Sequence, residues 1–277
     1  MRYTKPTDIP GTSLRYREKL RRDENADYLT RLLWGALDFS AYGYGVHHAA
    51  VLAARLGLPA ISAIEFGVAG GNGLLALERH AERIEADTGV RIEVYGFDTG
   101  TGMPAPQDYR DMPYRFREGN YRMDVEALRA RLTRAELVLG DVAETAAGFA
   151  AARRPAPIGF AAFDLDYHSS TMAAFRLFAA DHTAFLPRCQ LYFDDIIGHE
   201  ISSYNRFVGE LAAIEDFNAA HAEMKIAPSM ALHRFPINLI WYHQIYLLHR
   251  FTHPQYATYI SGAGPDSLSL QGPADEG

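Results

Sequence analysis

The chain has 277 residues, a net charge of −7 and 48% hydrophobic residues. That length suits one large domain, or one with an appendage, and the composition is ample for a core. The acidic balance argues against nucleic acid as the main partner, because neutralising phosphates needs a basic face. A single cysteine, Cys189, excludes an internal disulfide and a cysteine zinc cluster and fits a reducing cytoplasm.

The opening residues Met1-Arg-Tyr-Thr-Lys-Pro6 lack the apolar core of a signal peptide. No uninterrupted apolar stretch approaches the roughly 20 residues of a membrane span, so the expectation is a cytoplasmic protein without membrane contact. Residues 1–13 read as an irregular arm. Residues 14–33 follow a helical, strongly charged pattern, either a solvated face or part of a cap or dimer contact. Tyr42-Gly-Tyr-Gly45 reads as a turn and 46–56 as a short helix. The expected division is thus an N-terminal arm with helices over 1–58, a main domain over 59–260, and a disordered, Gly- and Pro-rich tail over 261–277.

The next stretch, Ser62-Ala-Ile-Glu-Phe-Gly-Val-Ala-Gly-Gly-Asn-Gly73, is an apolar run ending in an acid, then a glycine loop, then a helix-like segment. A strand, glycine turn and helix in this order form the local grip that open α/β sheets use on nucleosides. Residues 91–97 read as a second strand ending at Asp98. A long segment, 99–134, holds three prolines and four aromatics among arginines and suggests a lid. Strands three, four and five follow at 135–140, 158–163 and 189–193, with helices at 142–152 and 170–180 between them. A helix over 203–221 and strands at 224–232 and 244–251 complete the pattern. Alternating strands and helices imply a doubly wound, mostly parallel sheet.

Strand after strand ends in an acid: Glu65, Asp98, Asp141, Asp164 and Asp195. In a parallel sheet these ends share one edge, where ligands bind. Asp98 suits a ribose hydroxyl. Asp141 suits either an adenine amino group or the N-cap of the following helix. Asp164, Asp194 and Asp195 come from adjacent strand ends, and such a cluster repels itself unless a hard cation such as Mg²⁺ compensates; the competing reading is a solvated acidic rim. Asp166 and His168 are candidates for taking a proton from a substrate hydroxyl, with His199 a third.

Glu65-x-Gly67-x-x-x-Gly71 resembles the first motif of class I S-adenosylmethionine (SAM)-dependent methyltransferases. Tyr95-Gly-Phe-Asp98-Thr with Gly102-Met-Pro104, and Phe163-Asp-Leu-Asp-Tyr-His-Ser-Ser-Thr171 with Phe193-Asp-Asp195, are similar to the macrocin O-methyltransferase-like branch. The likeness spans roughly residues 61–198. It implies a seven-stranded Rossmann-like methyltransferase fold with an N-terminal helical cap, and metal-dependent methyl transfer from SAM to a hydroxyl of a sugar or other small molecule. Carried over by position, Glu65, Gly67, Gly71, Asp98 and Asp141 would bind SAM. Asp164, Asp194 and Asp195 would bind Mg²⁺ or a similar divalent cation, and Asp166 or His168 would be the base. The chain departs from the pattern at Ala69, at Thr99-Gly-Thr-Gly102, at His168 and at Ile196. The alternatives are a nicotinamide-dependent oxidoreductase, which the glycine spacing disfavours, and a non-catalytic SAM-binding module. The charged N-terminal helix and the aromatic insert offer surfaces for a homo-oligomer.

Overall fold

The computed structural model describes residues 10–198, 200–235 and 237–261. Residues 1–9 of the expected arm, His199 and the expected tail beyond Ser261 lie outside them. Three helices lead into the sheet: α1 (Pro10–Arg22), α2 (Tyr28–Leu33) and α3 (Ser40–Arg55). The single helix expected over 14–33 is broken before Asp27, whose carboxylate caps α2 by accepting the Thr30 N–H at 2.8 Å. Residues 10–13, expected in the arm, belong to α1.

Tyr42-Gly-Tyr-Gly45 is not a turn but the first part of α3. Its glycines serve packing. A Cβ on Gly43 would lie 2.6 Å from Leu32, and one on Gly45 would lie 2.5 Å from the Phe160 ring. Close approach to a buried neighbour therefore outweighs the usual helix-weakening effect of glycine. With Val46, Ala49, Ala50 and Ala53 fully buried, α3 covers one sheet face.

The sheet consists of β1 (Ala60–Phe66), β2 (Arg91–Asp98), β3 (Glu136–Leu139), β4 (Ile158–Phe163), β5 (Phe185–Phe193), β6 (Met224–Pro228) and β7 (Ile245–Arg250). Their order is β3-β2-β1-β4-β5-β7-β6. The first five strands run parallel, and β7 is antiparallel to both β5 and β6. The helices that follow α3 are α4 (Asn72–Thr88), α5 (Val125–Arg129), α6 (Val142–Arg153), α7 (His168–Ala174) and α8 (Gly209–Ala220). The expected mostly parallel, seven-stranded sheet is present. Its order reverses between β1 and β4, where a crevice opens beyond the strand ends. Several limits differ from expectation: β5 starts at Phe185, β6 ends at Pro228, α7 gives way to a 3-10 turn after Ala174, and α8 starts at Gly209, after an Asn205 side-chain turn onto the Phe207 N–H.

Register aligns the strand ends. Phe97, Phe66, Phe163 and Phe193 are paired positions on β2, β1, β4 and β5. Their buried rings form a continuous row, with centroids 4.7, 5.2 and 4.9 Å apart. The next residue after three of them is an acid: Asp98, Asp164 and Asp194.

The insert at 99–134 folds back over this edge. The Asp111 carboxylate, fully buried, accepts the Gln107 N–H and both the N–H and hydroxyl of Ser169, at 2.7–2.8 Å. Met112 and Phe116 pack with Tyr167 and Val208 in a small second core. No helix among the described residues is long and apolar enough to cross a membrane.

Gly45→Ala tests the α3 contact. Relief of glycine's helix penalty is worth about 1 kcal/mol, whereas over-packing a rigid core costs about 1–3 kcal/mol. Because Phe160 is fully buried in the central sheet, over-packing is expected to win. Denaturant unfolding should give net destabilisation, and a more stable variant would refute the close-packing account.

Candidate active site

A cavity of about 430 Å³ lies along the carboxyl edge of β1, β2, β4 and β5. One end is formed by Gly67, Ala69, Asp98, Thr99, Gly140 and Asp141. The other is formed by Tyr121, Asp166, Asp195, Ile197, Ser202 and Tyr204, with Asp164 and Asp194 also in the wall.

The glycine loop is built for close approach. Gly67 has φ +87°, and a Cβ there would lie 1.9 Å from the Asp164 carbonyl oxygen. Ala69, where the wider class often has glycine, adopts φ +43°. Its N–H donates to Asp98 Oδ2 at 2.8 Å, and Gly100 N–H donates to Asp98 Oδ1 at 2.6 Å. Asp98 thus joins the loop to β2 and still borders the cavity, with lone pairs to spare.

Glu65 does not line the cavity. It is buried beneath the loop, where Tyr42 donates to its Oε1 at 2.8 Å and its Oε2 has no partner. Burial pushes its carboxyl well above the usual range, against the Tyr42 hydrogen bond. A Cβ on Gly73 would overlap Glu65 Oε1 at 1.9 Å, so only glycine fits there. Gly71, at φ +82°, begins α4 with no side-chain cap and leaves room for Leu128 of the insert. Asp141 caps α6 by accepting the Ala143 N–H at 2.8 Å and also borders the cavity.

Asp164, Asp194 and Asp195 each offer an oxygen, all within 4.8 Å of one another. The last rungs of the sheet hold two of them: Asp164 N–H donates to the Phe66 carbonyl at 3.0 Å, and Asp194 N–H to the Phe163 carbonyl at 2.9 Å. Asp164 opens onto the cavity yet is ringed by protein. Burial, then Asp194 and Asp166, hold its carboxyl well above the usual range. Asp195 is raised likewise, by burial first and then by Asp166 and Glu210.

The two base candidates separate. Asp166 lines the cavity, nearly buried, in the left-handed region at φ +57°. Burial raises its carboxyl, and its N–H donates to Asp195 Oδ2 at 3.0 Å. His168 does not line the cavity. Its Nε2 lies 2.8 Å from Asp216 Oδ2 on α8, beside Arg110 of the insert. The cause is local: the chain turns at Asp166, and His168 enters α7 facing the α8 side.

Three further side chains emerge only in three dimensions. Tyr204 donates to Asp195 Oδ1 at 2.9 Å and lies 3.2 Å from Asp166 Oδ1. Tyr192 donates to Asp194 Oδ1. Glu210, fully buried, accepts the Leu165 and Asp195 N–H groups at 3.2 and 3.1 Å. None stands in a motif. Only Tyr192, two residues before Asp194, carried a local signal.

The chain matches no known protein-family model and no curated protein. Among solved structures it is similar to CalS11, a calicheamicin methyltransferase. That pair shares 20% identity, covers 88% of this chain and 94% of that one, and has a TM-score of 0.51. It is also similar to the O-methyltransferase NovP, with 14% identity, 76% and 80% coverage and a TM-score of 0.50.

A raised folded-state carboxyl pKa means the folded chain binds that proton more tightly than the unfolded chain. The stability this contributes is complete below about pH 4 and is lost as pH rises through the raised value. With chelator present, the melting temperature should therefore fall as pH rises above about 4, the ordinary carboxylate value, and fall less in Asp195→Asn, which removes one such group. Parallel pH profiles for the two proteins would contradict the assignment. The chain thus shares the fold of these two methyltransferases, a seven-stranded, mostly parallel, Rossmann-like sheet.

Proposed function

We propose that the chain transfers a methyl group from SAM to a hydroxyl of a small molecule, with a divalent cation such as Mg²⁺ held by Asp164, Asp194 and Asp195. The observation that carries this reading is the three-carboxylate cluster in the wall of the cavity that the glycine loop and Asp98 also form. CalS11 and NovP, which share the fold, are methyltransferases.

The residues fit SAM. The first turn of α4, with no side-chain cap, offers N–H groups to a carboxylate. Asp98 suits the ribose hydroxyls, and Asp141 borders the side where the base would lie. They also fit a hard cation. Three carboxylates in one spot repel one another, and a divalent ion with oxygen ligands relieves that repulsion.

When bound, SAM supplies a sulfonium-activated methyl, and the cation supplies Lewis acidity that lowers the pKa of a hydroxyl. The protein's part is to bring them together. Asp166 borders the acceptor end of the cavity and takes the hydroxyl proton on its carboxylate. Tyr204 keeps Asp166 and Asp195 oriented. With SAM bound, the acceptor oxygen would form its bond to the methyl carbon as the carbon–sulfur bond broke with its electron pair left on sulfur, while Asp166 holds the hydroxyl proton. The insert over the edge excludes water from this exchange.

The test is a screen of hydroxylated small molecules for SAM-dependent methylation with Mg²⁺ present, followed by chelation. Chelator should stop turnover. Asp194→Asn should lower turnover by about 100-fold or more while SAM affinity in calorimetry stays near that of the wild type. Absence of SAM binding would overturn the cofactor reading, and chelator-insensitive methylation would overturn the metal.

A further inference from the structure

Glu210 is a fifth acid at the cluster, beside Asp166 and the three aspartates, and the proposed reaction makes no use of it. It is completely buried in the first turn of α8 and does not line the cavity. Its two oxygens go to two different loops. Oε1 accepts the Leu165 N–H at 3.2 Å, in the loop after β4 that carries Asp164 and Asp166. Oε2 accepts the Asp195 N–H at 3.1 Å, at the end of β5 beside Asp194. Gly209 brings α8 this near: at φ +57°, a Cβ there would lie 2.9 Å from the Asp166 carbonyl oxygen.

We propose that Glu210 is a positioning residue that clamps the two aspartate-bearing loops together, so that Asp164, Asp194 and Asp195 stay within reach of one cation. This rests on the metal-dependent reading above. A carboxylate suits the task because it has two acceptor oxygens and no donor, matching two N–H groups from separate loops. Glutamine would present its NH₂ to one of those N–H groups. Aspartate is one methylene shorter and cannot span both. Placing a further acid beside four others is unfavourable, so a link that served folding alone would be better made by a neutral group. The like charges of the cluster push the loops apart, and the clamp opposes that opening. It acts on the metal ligands through their backbone, as outer groups around metal sites do.

The test follows Mn²⁺ binding to the full-length chain by electron paramagnetic resonance, with SAM binding by calorimetry in parallel. Glu210→Gln is expected to weaken Mn²⁺ binding by about ten-fold or more, with SAM affinity changed by less than about two-fold. Glu210→Asp, which keeps the charge but not the span, should lose Mn²⁺ affinity to a similar degree, and it carries the test should Glu210→Gln not fold. Unchanged Mn²⁺ affinity in either variant overturns the clamp. So does an equal loss of Mn²⁺ and SAM affinity, which marks a general disturbance of the fold. A wild-type chain that binds SAM but not Mn²⁺ overturns the metal reading itself, and that result is distinct from a wild type and variants that bind Mn²⁺ alike.

Discussion

The row of Phe97, Phe66, Phe163 and Phe193 fixes where the site's chemistry can stand. Parallel register puts these four rings side by side, and each is buried. Removing one such side chain from water is worth about 1.5–3 kcal/mol, so a slip of one residue along any of these strands is heavily disfavoured. Because the row is pinned, the residues just after it are pinned as well. Asp98, Asp164 and Asp194 therefore emerge at matched heights along one edge, and backbone bonds to the Phe66 and Phe163 carbonyls hold two of them on the last rung. A hydrophobic contact thus sets the spacing of a set of charges.

Those charges are costly to keep. Asp164, Asp195 and Glu210 are each held well above the ordinary carboxylate range, with burial the first cause in every case. The structure answers with donors. Tyr192 serves Asp194, Tyr204 serves Asp195 and Asp166, and two backbone N–H groups serve Glu210. These bonds restrain the carboxylates they reach, and such restraint is what a coordination site or a near-attack geometry requires.

The insert belongs to the same network instead of being a loose flap. Asp111 bonds the start of α7, Arg110 meets Asp216 on α8, and Tyr114 donates to the Ser202 carbonyl at 3.0 Å. Each anchor lies on an element that also carries or supports the acidic cluster. Cavity roof and cavity floor are consequently coupled through α7 and α8. His168 belongs to this coupling, being tied to the insert and to α8 and turned away from the cavity.

Local pattern in the sequence determined a good deal. Apolar runs closed by acids marked five strands, the glycine spacing marked the nucleoside grip, and adjacent strand ends brought three aspartates together. These features are legible because strand period and loop chemistry act over a few residues. Tertiary structure decided the rest, for reasons that span the chain. Gly43 and Gly45 look like turn formers until Leu32 and Phe160 press on them. Glu65 looks like a cavity wall until Tyr42 and Gly73 enclose it beneath the loop. Asp166 and His168, two residues apart, are equal candidates in the sequence, and only the left-handed turn at Asp166 sends one into the cavity and the other toward α8. Glu210 carries no local signal, since its meaning lies in two N–H groups 45 and 15 residues away. A side chain's role is readable in sequence when its partners are neighbours, and it passes to the fold when they are not.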